Sequence, residues 1–315
     1  MSKSILPERW LSVVGLGRMG REVLNEFCSE INPRETQAEF FYFDKSSEIE
    51  KMRKNGSLRI NNLYSLEELE KIEIPQLKNA VGTIFVAGLG GFKTGASALV
   101  NFGRDMTTYY RSYPQVYGQS SVALVSLPFE FEGKEMREKA LEALEEVKKS
   151  VDFTIIVDYN KIPWEELTVR KAFERANILT SRILKSIILP LTLGWEIICL
   201  DWLDFVVPFK CSTGRKVCVG VGKPKEDGIE ALESALDNPL YDAGIDMRKA
   251  EAYFLSGMVG EDIPFSEVER TIDYFAKKYA SREREPLIIF GCYLGNELGR
   301  LAWTVFVPVD TCLDI

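Results

Sequence analysis

Residues 163–205 read PWEELTVRKAFERANILTSRILKSIILPLTLGWEIICLDWLDF, and this stretch organises the chain. Apolar side chains recur at Leu167, Phe173, Ala176, Leu179, Ile183, Leu184, Ile187 and Ile188, mostly three or four apart. That is the period of a helix burying one broad face. Pro163 suits a first helical position, where a missing N–H is no loss, and Glu165 and Glu166 favour the positive helix end. Pro190 and Gly194 are expected to end or kink the helix. Asp201 and Asp204 follow in an otherwise apolar run, and desolvating two like charges is costly without partners or a role. A helix of about seven turns spans about 40 Å, enough to link two domains. The expected division is an N-terminal domain over 1–162, a connecting helix over 163–195 and a C-terminal domain over 196–315.

Composition sets the outer bounds. At 315 residues the chain exceeds a usual single core, and 46% hydrophobic with 27% charged residues is ordinary for a soluble globular protein. A net charge of −8 argues against nucleic acid as a partner. No apolar run is long enough to span a bilayer, so any membrane contact is expected to be indirect. The N-terminus, Met1-Ser2-Lys3-Ser4, lacks a signal-peptide core, and six scattered cysteines without a CxxC fit a reducing cytoplasm. With no histidine in the chain, Ser-His and Cys-His nucleophile pairs are excluded, and no metal site is expected.

Outward from the long helix, the N-terminal half carries two glycine-rich turns. Trp10 to Val14 reads as a buried strand, followed at once by Gly15-Leu16-Gly17-Arg18-Met19-Gly20 and a helical pattern over Arg21 to Cys28. A glycine turn between strand and helix lets backbone amides approach a phosphate at the positive helix end. Its plainer alternative is a turn that only packs helix on strand. A second strand, Glu39 to Phe43, ends at Asp44, where a carboxylate suits ribose hydroxyls in a dinucleotide fold. Glu48 to Leu77 reads as charged and irregular, with a helical patch near Leu66 to Ile72. Val81 to Ala87 is a third strand, running into Gly88-Leu89-Gly90-Gly91-Phe92-Lys93-Thr94-Gly95, with a helix from Ala96 onwards. Two such loops on consecutive strand–helix units suit one polyphosphate clamped from two sides, Thr94 adding a hydroxyl and Lys93 a charge. Tyr109 to Gly118 reads as a surface excursion.

Residues 122–134, VALVSLPFEFEGK, give a strand and a turn; a charged helix over Met136 to Lys149 and a strand over Phe153 to Val157 complete the unit. This block resembles the FtsZ/tubulin superfamily of filament-forming GTPases, and FtsZ more closely than tubulin. The PFEFEG turn matches the family's PFxFEG, and AGLGGFKTG is similar to its phosphate signature AGMGGGTGTG with one residue missing. Ala172-Phe173-Glu174-Arg175-Ala176-Asn177 resembles the start of its central helix, and Asp201 and Asp204 fall on its NxDxxD loop. The likeness extends through Gly220-Val221-Gly222 and Asn238-Pro239-Leu240 to the final strands.

The resemblance implies an N-terminal Rossmann-like parallel sheet with helices on both faces, a long central helix and a smaller C-terminal α+β domain. It implies a GTP or GDP site, with any Mg2+ arriving on the nucleotide. Gly15, Gly17 and Gly20 would form the first phosphate loop, and Gly88, Gly90, Gly91, Thr94 and Gly95 the second. Glu132 would approach the ribose, Phe173 stack on guanine and Asn177 read the base edge. Asp201 and Asp204 would face the nucleotide of the next subunit, oriented on the attacking water. The partner would be a second copy, or a related FtsZ-like protein, in a head-to-tail filament. Without the family, Phe173 is a core aromatic and the DxxD pair a solvated or capping turn.

This chain departs from the family pattern at several places. Arg18 and Met19 intrude in a loop that is nearly all glycine in FtsZ, and Glu22 stands near its Asn. The Arg after FEGK is Met136 here, or Arg137 with a one-residue shift. Cys199 replaces the Asn of NxDxxD, and Pro208 stands where a helix should be established. The chain ends at Ile315 without a linker or adaptor-binding peptide, which reads as a divergent paralogue of the cell-division protein.

The C-terminal half reads as strands over Val217 to Val221 and Glu251 to Ser256, helices over Glu226 to Leu236 and Phe265 to Tyr279, then paired strands over Pro286 to Tyr293 and Leu301 to Val309. Three readings result: an assembling GTPase, a degenerate FtsZ-like scaffold or regulator with little or no GTPase activity, and an NAD(P)-dependent oxidoreductase suggested by GLGRMG followed by Asp44.

Overall fold

Continuous apolar runs rather than alternating ones fix the first half as a parallel sheet, because such strands are buried on both faces. The computed structural model describes residues 11–56, 60, 62–67, 77, 79–90, 94–112, 119–163, 166–192, 198, 200–210, 216–238, 240, 247–279, 285–295 and 298–309, the side chains of Thr94, Lys210 and Val309 excepted. The chain divides into two compact units, Met1–Asp152 and Phe153–Ile315. The expected three-part division at 162 and 195 differs from it in two ways: it put residues 153–162 in the first domain and gave the long helix to neither.

In the first unit, strands β1 (Leu11–Leu16), β2 (Ala38–Asp44), β3 (Asn62–Ser65), β4 (Gly82–Gly88) and β5 (Ser120–Leu127) lie in the order β3-β2-β1-β4-β5, all parallel. Helices α1 (Gly17–Glu30), α2 (Ser46–Asn55), α3 (Thr94–Ser112) and α4 (Lys134–Ser150) accompany them. Every residue of β1 and β5 is buried, as the runs LSVVGL and SSVALVSL require. Phe43 meets Phe102 of α3 edge to face at 4.9 Å.

Several expectations change here. β1 continues to Leu16 and α1 opens at Gly17, so strand passes to helix with almost no loop; Trp10 lies outside the described residues. The stretch read as irregular contains α2 and β3. Only Ile49 and Met52 of α2 are buried, too few apolar positions to stand out among its charges, and Gly56 closes the helix at φ +57°. Most of the Leu66–Ile72 patch lies outside the described residues. The segment read as an excursion is still α3 up to Ser112, because Tyr110 is buried with its hydroxyl 2.8 Å from that of Thr83; residues 113–118 lie outside the described residues.

In the second unit, β6 (Phe153–Asp158), β7 (Lys216–Val221), β8 (Ala252–Gly260), β9 (Leu287–Gly295) and β10 (Leu301–Val309) form the order β6-β7-β10-β8-β9. β10 is antiparallel to β7 and β8, whereas β6–β7 and β8–β9 are parallel. The last two strands were expected to pair; instead β8 lies between them. The connection from β8 to β9 runs through α8 (Phe265–Tyr279) and sets β9 parallel on the outer side. The remaining helices are α5 (Val169–Thr192), α6 (Trp202–Lys210) and α7 (Gly228–Leu236).

The long helix begins at Val169, not Pro163. Thr168 caps it, its carbonyl accepting the Ala172 N–H at 2.9 Å. Its 24 residues span about 36 Å. Pro190 does not end it: every residue from Ile183 to Thr192 is buried, and α5 packs on β7, β8 and β9. Burial on this scale outweighs the one backbone hydrogen bond that Pro190 forfeits.

Pro208 likewise fails to prevent a helix. α6 runs through it because Trp202, Phe205, Val206 and Phe209 are buried together. The Phe205 ring lies 4.9 Å from Phe254, 5.3 Å from Phe209 and 5.8 Å from Phe153. Aromatic burial of this extent exceeds the ~3 kcal/mol a helical proline costs.

Candidate functional site

The two glycine segments meet at the carboxyl ends of adjacent parallel strands. Leu16 of β1 pairs in register with Ala87 of β4, and Gly88 with Ser126 of β5. Gly17 turns the chain from β1 into α1 at φ +66°, a left-handed conformation that costs other residues about 1 kcal/mol. A side-chain carbon there would lie 3.7 Å from Gly95 Cα, and one on Gly95 would lie 3.3 Å from the Leu16 carbonyl oxygen. Both backbones are therefore bare toward each other.

Gly15 and Gly20 have a different task. A carbon added to Gly20 would stand 2.7 Å from the Val86 oxygen and 2.9 Å from the Gly15 carbonyl carbon. These two glycines seat α1 on β1 and β4, which is the packing alternative the sequence left open. Met19, whose Cβ would be 3.0 Å from a carbon on Gly88, packs over the second segment, and Gly90 lies against Pro128. Gly91 and Lys93 lie outside the described residues. Thr94 opens α3.

This edge suits an anion. α1 opens on Leu16 without a side-chain cap, and neither α1 nor α3 carries an acidic residue in its first turn. The first N–H groups of α1 thus have no side-chain cap, and no carboxylate of either helix's own first turn offsets its positive end. The PFEFEG turn stands beside them. Glu132, half-buried, accepts the Phe129 N–H at 2.9 Å, and burial raises its carboxyl against the opposing effects of that hydrogen bond and the Arg18 charge. Arg137 donates to the Pro128 carbonyl at 2.9 Å, which assigns the arginine after FEGK to Arg137 as the residue tied to this turn. Phe131 stacks on the fully buried Phe129 at 4.8 Å and leaves 41% of its surface exposed.

Asp44 is not a ribose acceptor in waiting. It is 8% exposed, one oxygen accepting the Tyr42 hydroxyl at 2.5 Å and the other the Lys45 N–H at 2.8 Å. Tyr42 escaped the sequence reading, though its position two residues before Asp44 puts both on one face of β2. Arg21 is committed too, at 2.7 Å from Glu22 and 3.8 Å from Glu48. Burial works against its charge, and the two carboxylates more than offset that, so its pKa is raised. Among the described residues, no group of three His, Cys, Asp or Glu side chains could hold a metal ion.

The other expected residues belong to the second unit. Phe173 and Asn177 sit four apart on one side of α5, both half-buried. Asp201 precedes α6 and Asp204 lies in its first turn. The Asp204 N–H donates to Asp201 Oδ1 at 3.0 Å and the Asp201 N–H to Asp204 Oδ2 at 2.8 Å. The DxxD pair is a reciprocal cap on α6. Cys199 lies outside the described residues.

No family model matches the chain. It is 28% identical to the cell division protein FtsZ of Aquifex aeolicus over 236 residues, covering 73% of this chain and 59% of that protein. To the mitochondrial division protein fszA of Dictyostelium discoideum it is 29% identical over 244 residues, 74% of this chain and 44% of that one. The chain thus spans about half the length of these relatives. Among solved structures, an empty FtsZ dimer from M. jannaschii superposes with a TM-score of 0.78 at 18% identity, over 96% of this chain and 89% of that one. CetZ2 from Haloferax volcanii, in a GTPγS-bound protofilament, gives 0.69 at 16% identity over 96% and 94%. No helix among the described residues is long and apolar enough to cross a membrane. The shared architecture over almost the whole chain, with sequence likeness over three quarters of it, makes this chain similar to the FtsZ proteins in both fold and sequence.

Proposed function

We propose that the chain binds a guanine nucleotide and assembles head to tail, with itself or with a related FtsZ-like protein, into filaments whose GTP hydrolysis is completed by the neighbouring subunit. The observation that carries this reading is the meeting of two glycine segments on adjacent parallel strands, with Gly17 and Gly95 bare toward each other. A plain dinucleotide-binding fold has no use for the second segment. Its structural neighbours support the reading: CetZ1 from Haloferax volcanii is a GDP-bound monomer, and TubZ from Bacillus thuringiensis forms GDP-form protofilaments.

In this proposal the backbones of Gly17, Gly88, Gly90, Gly91 and Gly95, with Thr94, hold the phosphates, and Glu132 meets the ribose. Phe173 and Asn177 serve the base. The bound triphosphate supplies the phosphoanhydride bond, and any Mg2+ arrives with it. Asp201 and Asp204 present their second carboxylate oxygens, those not spent on the cap, to water at the next subunit's nucleotide. A positioned acid or base of this kind contributes about 10²–10⁴-fold.

A scaffold with weak nucleotide binding is the second reading, favoured by Met19 over Gly88 and by the mutual engagement of Asp201 and Asp204. Calorimetry with GDP, GTPγS and NAD(P) separates the readings. Binding of the guanine nucleotides alone is expected; binding of neither points to the scaffold, and binding of NAD(P) alone to an oxidoreductase.

A further inference from the structure

Arg18 has no assigned task, although it stands at the junction of the two glycine segments. It directly follows Gly17, is the second residue of α1, and is exposed. No hydrogen bond or ion pair to its guanidinium forms among the described residues. The contrast with Arg21 is informative: that side chain, one turn further on, is held by Glu22 and Glu48 and cannot reach out without breaking both contacts. Near Arg18 the acidic group is Glu132, whose carboxylate feels its charge and spends one oxygen on the Phe129 N–H.

We infer that Arg18 is a ligand-contacting residue, its guanidinium gripping the terminal phosphate oxygens of the nucleotide from the side of the first glycine turn. This rests on the guanine-nucleotide reading above and adds to it. Met19 over Gly88 narrows the approach of backbone amides, so a long cationic side chain replaces part of what they would supply. An arginine presents a planar fork that matches two phosphate oxygens, which a lysine cannot do. The polyphosphate carries several negative charges, which the positive ends of α1 and α3 favour, and Arg18 adds a cation at the start of α1.

The test measures affinity for GDP and GTPγS by calorimetry, and for guanosine by competition against a fluorescent GDP, in wild type, Arg18→Ala and Arg18→Lys. Arg18→Ala is expected to weaken GDP and GTPγS by roughly 10- to 100-fold. Guanosine should change less than about 2-fold, since it offers no phosphate. Arg18→Lys should recover part of the loss, and the gap between wild type and Arg18→Ala should narrow as salt is raised. Unchanged unfolding temperature in both variants keeps the comparison on the ligand. The inference is overturned if Arg18→Ala binds GDP and GTPγS as wild type does, or if guanosine weakens as much as GDP. If wild type itself binds no guanine nucleotide, the functional reading fails and this inference falls with it.

Discussion

Asp201 and Asp204 accept each other's backbone N–H, at 3.0 and 2.8 Å, so the acidic pair of the DxxD loop folds the start of α6 as well as facing solvent. Any substitution there mixes two effects. Asp201→Ala should cost about 0.5–2 kcal/mol through the lost cap, whereas Asp201→Asn keeps an equally good cap without the charge. Thermal unfolding should therefore separate the variants, with the Asn protein close to wild type. Turnover lost in Asp201→Asn without loss of stability assigns the carboxylate to chemistry; turnover retained assigns it to the cap.

Gly20 and Gly17 should respond differently to alanine. At Gly20 the new carbon meets backbone at 2.7 Å, so α1 must lift from β4 and about 1–3 kcal/mol is lost. At Gly17 the new carbon makes only an ordinary contact, 3.7 Å from Gly95 Cα, so the penalty is the positive φ, about 1 kcal/mol. Chemical denaturation of both variants checks the order, Gly20→Ala being the less stable.

Glu67 closes the far side of the first sheet. Its carboxylate accepts the Ser46 hydroxyl at 2.9 Å, the Ser46 N–H at 3.1 Å and the Ser65 hydroxyl. The Ser65 hydrogen bond leads in holding its pKa down to about 2, below the 4.5 of a free glutamate. A depressed carboxylate contributes stability that is complete above its unfolded value and lost as pH falls through the folded one. Glu67→Gln should thus destabilise the first unit at neutral pH, with the difference from wild type shrinking between pH 4.5 and 2. Unfolding midpoints measured along that pH series check the sign.

Phe205 is the anchor that lets α6 survive Pro208. Phe205→Ala should cost about 3–5 kcal/mol, whereas Pro208→Ala, by restoring one backbone donor, should leave stability equal or higher. Unfolding of the two variants by denaturant decides whether burial or backbone bonding dominates this helix.

The parallel strands and their glycine turns were legible because buried runs and turn chemistry are local signals. Proline at 190 and 208 misled, since its penalty is local whereas the burial that overrides it comes from strands far along the chain. α2 was hidden because two buried positions do not make a period. The pairing of β9 with β8 was invisible for the same reason as most registers: the connecting helix decides it, not the strand. At the site, Gly15 and Gly20 were read for phosphate, and the close helix–strand packing at both was not visible in the sequence; nor was the Tyr42 hydroxyl that occupies Asp44.

The central claim is guanine-nucleotide-dependent self-assembly with a shared site, and sedimentation with phosphate release across a protein concentration series in GTP tests it most directly. The account predicts that protein pellets only with GTP above a threshold concentration and that turnover rises faster than linearly with protein. Turnover strictly linear in protein, or no pelleting and no phosphate release at any concentration, would contradict it.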